Sequence, residues 1–143
     1  MISKFFRVGV HTVEMDIVLL LFRLVAGVAF VYHGWPLIQH PATWMGPDSH
    51  VPGFLQFLAA LSEFGGGISW ILGLLTRLSA LGIGFTMAVA VYMHRFVLGD
   101  PFVSPTGGRS FELASVYFLV ALLLLIAGPG RMSVDRKVFG NKL

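Results

Sequence analysis

Four nearly uncharged runs, at 17–38, 54–75, 78–98 and 111–127, take up more than half of this 143-residue chain. The hydrocarbon core of a bilayer is about 30 Å thick and takes about 20 helical residues to cross. Each run therefore has the length of a span, the fourth and shortest only if its helix stands nearly upright. With 56% hydrophobic and 12% charged residues, and a mean hydropathy of +0.82, the chain carries more apolar surface than a soluble core of this size can hide. The surplus must face lipid. A lipid-exposed backbone has to satisfy its own hydrogen bonds, which favours helices, and the period-two alternation of a membrane barrel is absent. The expected fold is all-α: one polytopic membrane domain over 1–143, an antiparallel bundle of four transmembrane helices.

The connections agree with this division. Pro41, Pro47, Pro52 and Gly53 break the chain after the first run, Asp100, Pro101, Pro105, Gly107 and Gly108 break it after the third, and Gly128-Pro129-Gly130 stops the fourth. Only Thr76-Arg77 separates the second run from the third, so a tight helical hairpin is expected there. With an even number of spans both termini share one side. Lys4, Arg7, Arg77, Arg131, Arg136, Lys137 and Lys142 fall on that side, against Arg95 and Arg109 near the opposite loops. Positive residues stay inside, which places both termini in the cytoplasm of a multi-pass inner-membrane protein. The net charge of +3 is this asymmetry, and with no basic helix face or aromatic-interleaved patch it points to no nucleic acid. The first apolar run is too long for a secretory signal and lacks a small-residue cleavage site. The absence of cysteine excludes thiol–disulfide chemistry, iron–sulfur clusters and c-type haem attachment.

Polar residues inside the spans carry the functional information. Arg23 and His33 share a three-four stripe on the first helix, roughly 15 Å apart, and His94 ends a similar stripe on the third. In the second span, "LSEFGGGISW" places Glu63 near mid-bilayer beside Gly65, Gly66 and Gly67. A carboxylate at that depth must be protonated, paired or wet. Arg23 is the cationic candidate for pairing, and a structural Glu63–Arg23 ion pair stands beside a proton-handling or ligand-binding role for the same two residues. Gly65, Ser69 and Gly73 form a small-residue ladder of the kind that lets membrane helices approach closely. Three glycines in a row weaken a helix by about 1 kcal/mol each relative to alanine, so a ligand against Gly66 and Gly67, with Trp70 nearby, is the alternative to close packing.

A second group gathers at the outer ends of the spans: His33 and Trp35 on the first, His94 and Arg95 on the third, Arg109 and Glu112 at the fourth. Glu112 also suits a helix N-terminus, and Trp35, Trp44 and Tyr92 suit the membrane interface. His33 and His94 on facing helices are the minimum for a haem or metal site, but two histidines without a fixed spacing are weak support, and no metal is assigned. No Walker loop, dinucleotide fingerprint, nucleophile elbow or HExxH motif is present.

The segments "LLFRLVAGVAFVYHGWPLI", "AALSEFGGGISWILGLLTRLSALG" and "FELASVYFLVALLLLIAGPGRMSVD" together resemble the DoxX family of four-helix membrane proteins, over about 16–136. The matching positions are Arg23, Gly27, His33 and Gly34 in the first, and Glu63, Gly66, Gly67, Gly73, Thr76 and Arg77 in the second. Glu112, Gly128, Gly130, Ser133 and Asp135 match in the last. Many members carry a lysine shortly after the His-Gly pair, where this chain reads Trp35-Pro36-Leu37. The resemblance implies a link to the membrane subunit of a thiosulfate:quinone oxidoreductase, or to complexes with superoxide dismutase and a sulfurtransferase in oxidative-stress defence.

Three classes of function stay open on these residues. In the first, a membrane redox subunit binds a quinone between its helices, with Glu63 and Arg23 as the candidate catalytic pair and His33, His94, Glu112, Trp70, Gly66 and Gly67 as candidate substrate-binding residues. That role needs a bound cofactor or a partner subunit, such as a soluble redox partner protein, because no residue of the chain can itself carry electrons. In the second, the chain is a scaffold whose intramembrane charges only register helix packing. The third is a small-molecule or lipid transporter, which with four helices requires a homo-oligomer. Lipid bilayer is the common partner of all three.

Overall fold

The structure is a computed structural model that describes residues 8–9 and 11–140. Lys4, Arg7 and Lys142, used in the charge argument, lie outside the described residues. All regular structure among the described residues is helical: α1 (Val13–Gln39), α2 (Gly53–Leu72), α3 (Thr76–Tyr92, continued by the π-helical turn Met93–Val97), α4 (Glu112–Ala127) and a short α5 (Val134–Phe139). Three of these, α1, α2 and α3 with its π turn, are long and apolar enough to cross a membrane, while α4 is apolar but has only 16 residues.

Two helix ends have a local cause. Thr12 caps α1, its side-chain oxygen accepting from the Met15 N–H. α2 ends on Gly73 in the left-handed conformation, φ 66°, whose N–H bonds back to the last turn of the helix. The link from α2 to α3 is residues 73–75, so the expected hairpin turn moves three residues upstream and Thr76-Arg77 becomes the first turn of α3. Leu75 holds φ 51°, a strained value for a leucine. The turn tolerates it because Asp135 accepts from both the Leu75 N–H, at 2.7 Å, and the Thr76 N–H, at 2.9 Å.

α1 packs on α2, α2 on α3 and α3 on α4, and a narrower contact joins α4 back to α1. Leu19, Ala26, Phe30, Trp70, Ala80, Ile83, Ala121 and Leu124 fill the shared core. Val25, Tyr32, Phe54, Phe85, Phe96, Leu119 and Ile126 face outward and are well exposed, the reverse of a soluble protein and the expected dress of a lipid-facing surface.

Close approach of α1 and α2 rests on Gly67 and Gly27. A Cβ on Gly67 would lie 2.8 Å from the Gly27 carbonyl oxygen and 2.8 Å from the Val31 nitrogen, both backbone atoms. Gly66 instead leaves room for Ile83 of α3. The anticipated ladder is therefore corrected: Gly65 has only the Leu61 side chain near its missing Cβ, and Gly73 lies past the end of the helix. Two adjacent glycines serve two different neighbours because successive residues on a helix point about 100° apart.

Candidate functional site

The packing leaves two polar regions, one at each end of the helices. At the end that carries α5 and the 73–75 turn, Arg23 is 1% exposed. Its guanidinium donates to three carbonyls: Nε to Trp70 at 2.9 Å, and Nη1 to Pro129 at 2.5 Å and Met132 at 3.1 Å. Those carbonyls lie at the end of α2 and in the strap after α4, where helix termini leave acceptors unsatisfied. The expected Glu63–Arg23 ion pair is thus corrected. Arg23 is spent on backbone oxygens, and Glu63 is not among its partners.

The same strap is held at further points. Asp16, 2% exposed, accepts from the backbone N–H of Arg131 at 2.9 Å and pairs with the Arg131 side chain. Ser133 caps α5 and donates to the Gly130 carbonyl at 2.7 Å, and Asp135 donates its N–H to the Gly73 carbonyl at 2.8 Å. The Arg23, Asp16, Ser133 and Asp135 groups are thus matched within the protein, and together they make this end a clamp.

The opposite end, where the two long connections run, holds a cleft of about 240 Å³. All four long helices line it. α1 supplies Phe30 and His33, α2 supplies Glu63, α3 and its π turn supply Met87, Ala90 and His94, and Leu113, Ala114 and Tyr117 come from the start of α4, with Ser110 just before it. Tyr117 meets Phe30 at 4.8 Å and His33 at 6.2 Å between ring centroids, so an aromatic corner forms one wall. Glu63 is half-buried and has no hydrogen-bond or ion-pair partner among the described residues. An apolar pocket with a few convergent polar groups is the usual form of a small-molecule site.

The sequence-derived candidates separate on this geometry. Glu63, His33 and His94 come together in the cleft. Trp70 is fully buried in the core, edge-on to Phe30 at 5.5 Å, and does not line the cleft. Gly66 and Gly67 are occupied by α3 and α1, as described above. Glu112 is exposed at the first turn of α4, outside the lining. Among the described residues no three His, Asp or Glu side chains gather as a metal-ligand set. Tyr117 and Ser110 were not singled out from the sequence. The i, i+3 and i, i+4 spacing of Ser110, Leu113, Ala114 and Tyr117 was the available signal, but in a run as uniformly apolar as α4 no face stands out.

The DoxX family model matches residues 18–95, more than half of the chain. The chain belongs to the DoxX family. As a DoxX protein it is similar to inner membrane protein YqjF of Escherichia coli, 34% identical over 128 residues that cover 85% of this chain and 92% of the relative. It is similar also to inner membrane protein YphA of the same organism, 30% identical over 131 residues covering 85% and 90%. An uncharacterized protein of Haemophilus influenzae is 31% identical over 119 residues covering 82% and 87%. No solved structure matches the chain. Of the positions that carried the resemblance, His33 and Glu63 lie in the cleft, Arg23, Gly73, Thr76, Ser133 and Asp135 in the clamp, and Gly27, Gly66 and Gly67 at helix contacts.

Proposed function

We propose that this DoxX protein binds a quinone-type ring in the cleft between its helices and serves as the membrane subunit of a redox or oxidative-stress system. The observation that carries the reading is the unpartnered Glu63 carboxyl in one cleft with His33, His94 and Tyr117. The lining suits such a ring. Phe30, Met87 and Leu113 give it apolar walls, and the two histidines, the tyrosine and Glu63 offer hydrogen bonds to ring oxygens. When bound, a quinone supplies reversible two-electron, two-proton chemistry. Glu63 holds or releases a proton at its carboxyl oxygens, His33 and Tyr117 orient the ring, and the apolar walls exclude water. Arg23 acts on this reading through the clamp, not at the ring. On this reading electrons reach the ring from a soluble redox partner.

We place the cleft on the outer side of the inner membrane. In this topology α4 is the fourth span, the four long helices form an antiparallel bundle, and both termini are cytoplasmic. The positive residues support it: Arg77, Arg131, Arg136 and Lys137 are at the clamp end, against Arg95 and Arg109 at the cleft end.

The test is mass spectrometry of an organic extract from gently purified protein, beside a Glu63→Gln sample. Near-stoichiometric quinone in the unmodified protein, reduced in the variant, is the expected result; bulk lipids alone would end the proposal. The scaffold reading has one observation in its favour, the clamp itself, whose charges all serve packing. It predicts that Glu63→Gln leaves partner assembly intact and that no ring compound co-purifies.

A further inference from the structure

The mouth of the cleft contains a polar arrangement that ring binding alone does not explain. His94 sits in the π-helical turn Met93–Val97, a local irregularity frequent at functional sites. Its Nδ1 lies 2.7 Å from Asp100 Oδ2. Asp100 Oδ1 faces Arg109 Nε at 3.5 Å, and the Asp100 backbone N–H donates to the His94 carbonyl at 2.8 Å. Asp100 is thus tied to His94 through both main chain and side chain. The Asp100 side chain is 10% exposed against 31% for His94, so the carboxylate backs the imidazole from the protein side.

A carboxylate only accepts, so Nδ1 carries the hydrogen, and a ring that bears no second hydrogen has its lone pair on Nε2. No described residue bonds Nε2. We propose that Asp100 is a positioning residue that fixes His94 as a hydrogen-bond acceptor for the cleft's occupant. It follows that the occupant presents a hydroxyl to His94, so the site favours the hydroquinone over the quinone form of the ring. This inference rests on the ring-binding reading given above. Arg109, itself largely exposed, faces the second Asp100 oxygen.

The test uses full-length protein in nanodiscs with histidine labelled by nitrogen-15, and a short-chain benzoquinol and its quinone as the two probes. Nitrogen shifts, assigned by loss of the His94 signal in His94→Gln, are expected to show hydrogen on Nδ1. The quinol is expected to bind about tenfold more tightly than the quinone, the size of one net hydrogen bond. In Asp100→Asn the side-chain amide can donate to Nδ1, which moves the hydrogen to Nε2 and erases or reverses the preference. Asp100→Glu is expected to restore it. Hydrogen on Nε2 in the unmodified protein, or an unchanged quinol-to-quinone ratio in Asp100→Asn, would overturn the proposal. If neither probe binds the unmodified protein, the ring-binding reading fails by itself, and the nitrogen shifts still judge the Asp100 role. Should Asp100→Asn not fold, the tautomer of the unmodified protein decides.

Discussion

Gly65 and Gly67 of one helix have different surroundings. A methyl group on Gly67 meets backbone of α1 at 2.8 Å, which no side-chain rotation can relieve. Gly67→Ala is expected to destabilise the protein by about 1–3 kcal/mol, the usual range for overpacking, read as a lower melting temperature in detergent. A methyl on Gly65 meets only Leu61 Cδ1 at 3.4 Å, so Gly65→Ala is expected to be neutral or to gain up to about 1 kcal/mol in helix propensity. Equal losses for the two variants would remove the packing account. Arg23→Lys makes a second test. A single ammonium cannot reproduce the forked geometry on the Trp70, Pro129 and Met132 carbonyls, and a loss of about 3 kcal/mol is expected, one to two charged hydrogen bonds. Melting unchanged by that substitution would contradict the clamp. At this scale the sequence singled out Glu63 and Arg23 and misread the partner of Arg23. Glu63 and Arg23 stand out because charge is rare in apolar runs, but the partners of Arg23 are main-chain oxygens, which every residue carries and no residue type advertises.

The helices themselves were legible because apolar length is a coarse signal. Their ends were less so. The α2–α3 turn depends on Asp135, 60 residues downstream of Leu75, reaching across to its N–H. A contact at that separation leaves no local trace. Asp135→Asn keeps one acceptor oxygen and loses the other, so one of the two N–H groups at Leu75 and Thr76 is left without its bond. The expected result is faster hydrogen exchange confined to this turn, with a stability loss of about 1–2 kcal/mol; exchange unchanged at the turn would show that Leu75 holds its conformation without Asp135. The π turn at the end of α3 was equally hidden. His94 was visible as a polar residue ending a helix, whereas Asp100 read only as part of a chain break. The extra residue in the turn and the Asp100 N–H bond to the His94 carbonyl bring the two side chains together.

For the whole molecule, the apolar exterior and the family membership agree on a membrane protein, and the direction of insertion is the next quantity to fix. The chain has no cysteine, so a single introduced thiol reports its own location. Asp48→Cys, in the exposed α1–α2 connection, is expected to react with a membrane-impermeant maleimide on intact cells, and Lys137→Cys on α5 only after lysis; the opposite pattern would invert the proposed topology.

The short α4 then acquires a meaning beyond connectivity. Its 16 residues span about 24 Å, less than the roughly 30 Å of an average hydrocarbon core. If α4 is a span, the surrounding bilayer is pinched beside it. Ser110, Leu113 and Tyr117 put the cleft at the start of this helix, so the thinnest collar of lipid borders the mouth of the site. On that condition bilayer thickness acts first on α4: short-chain lipids match its length, and thicker membranes raise the mismatch beside the cleft.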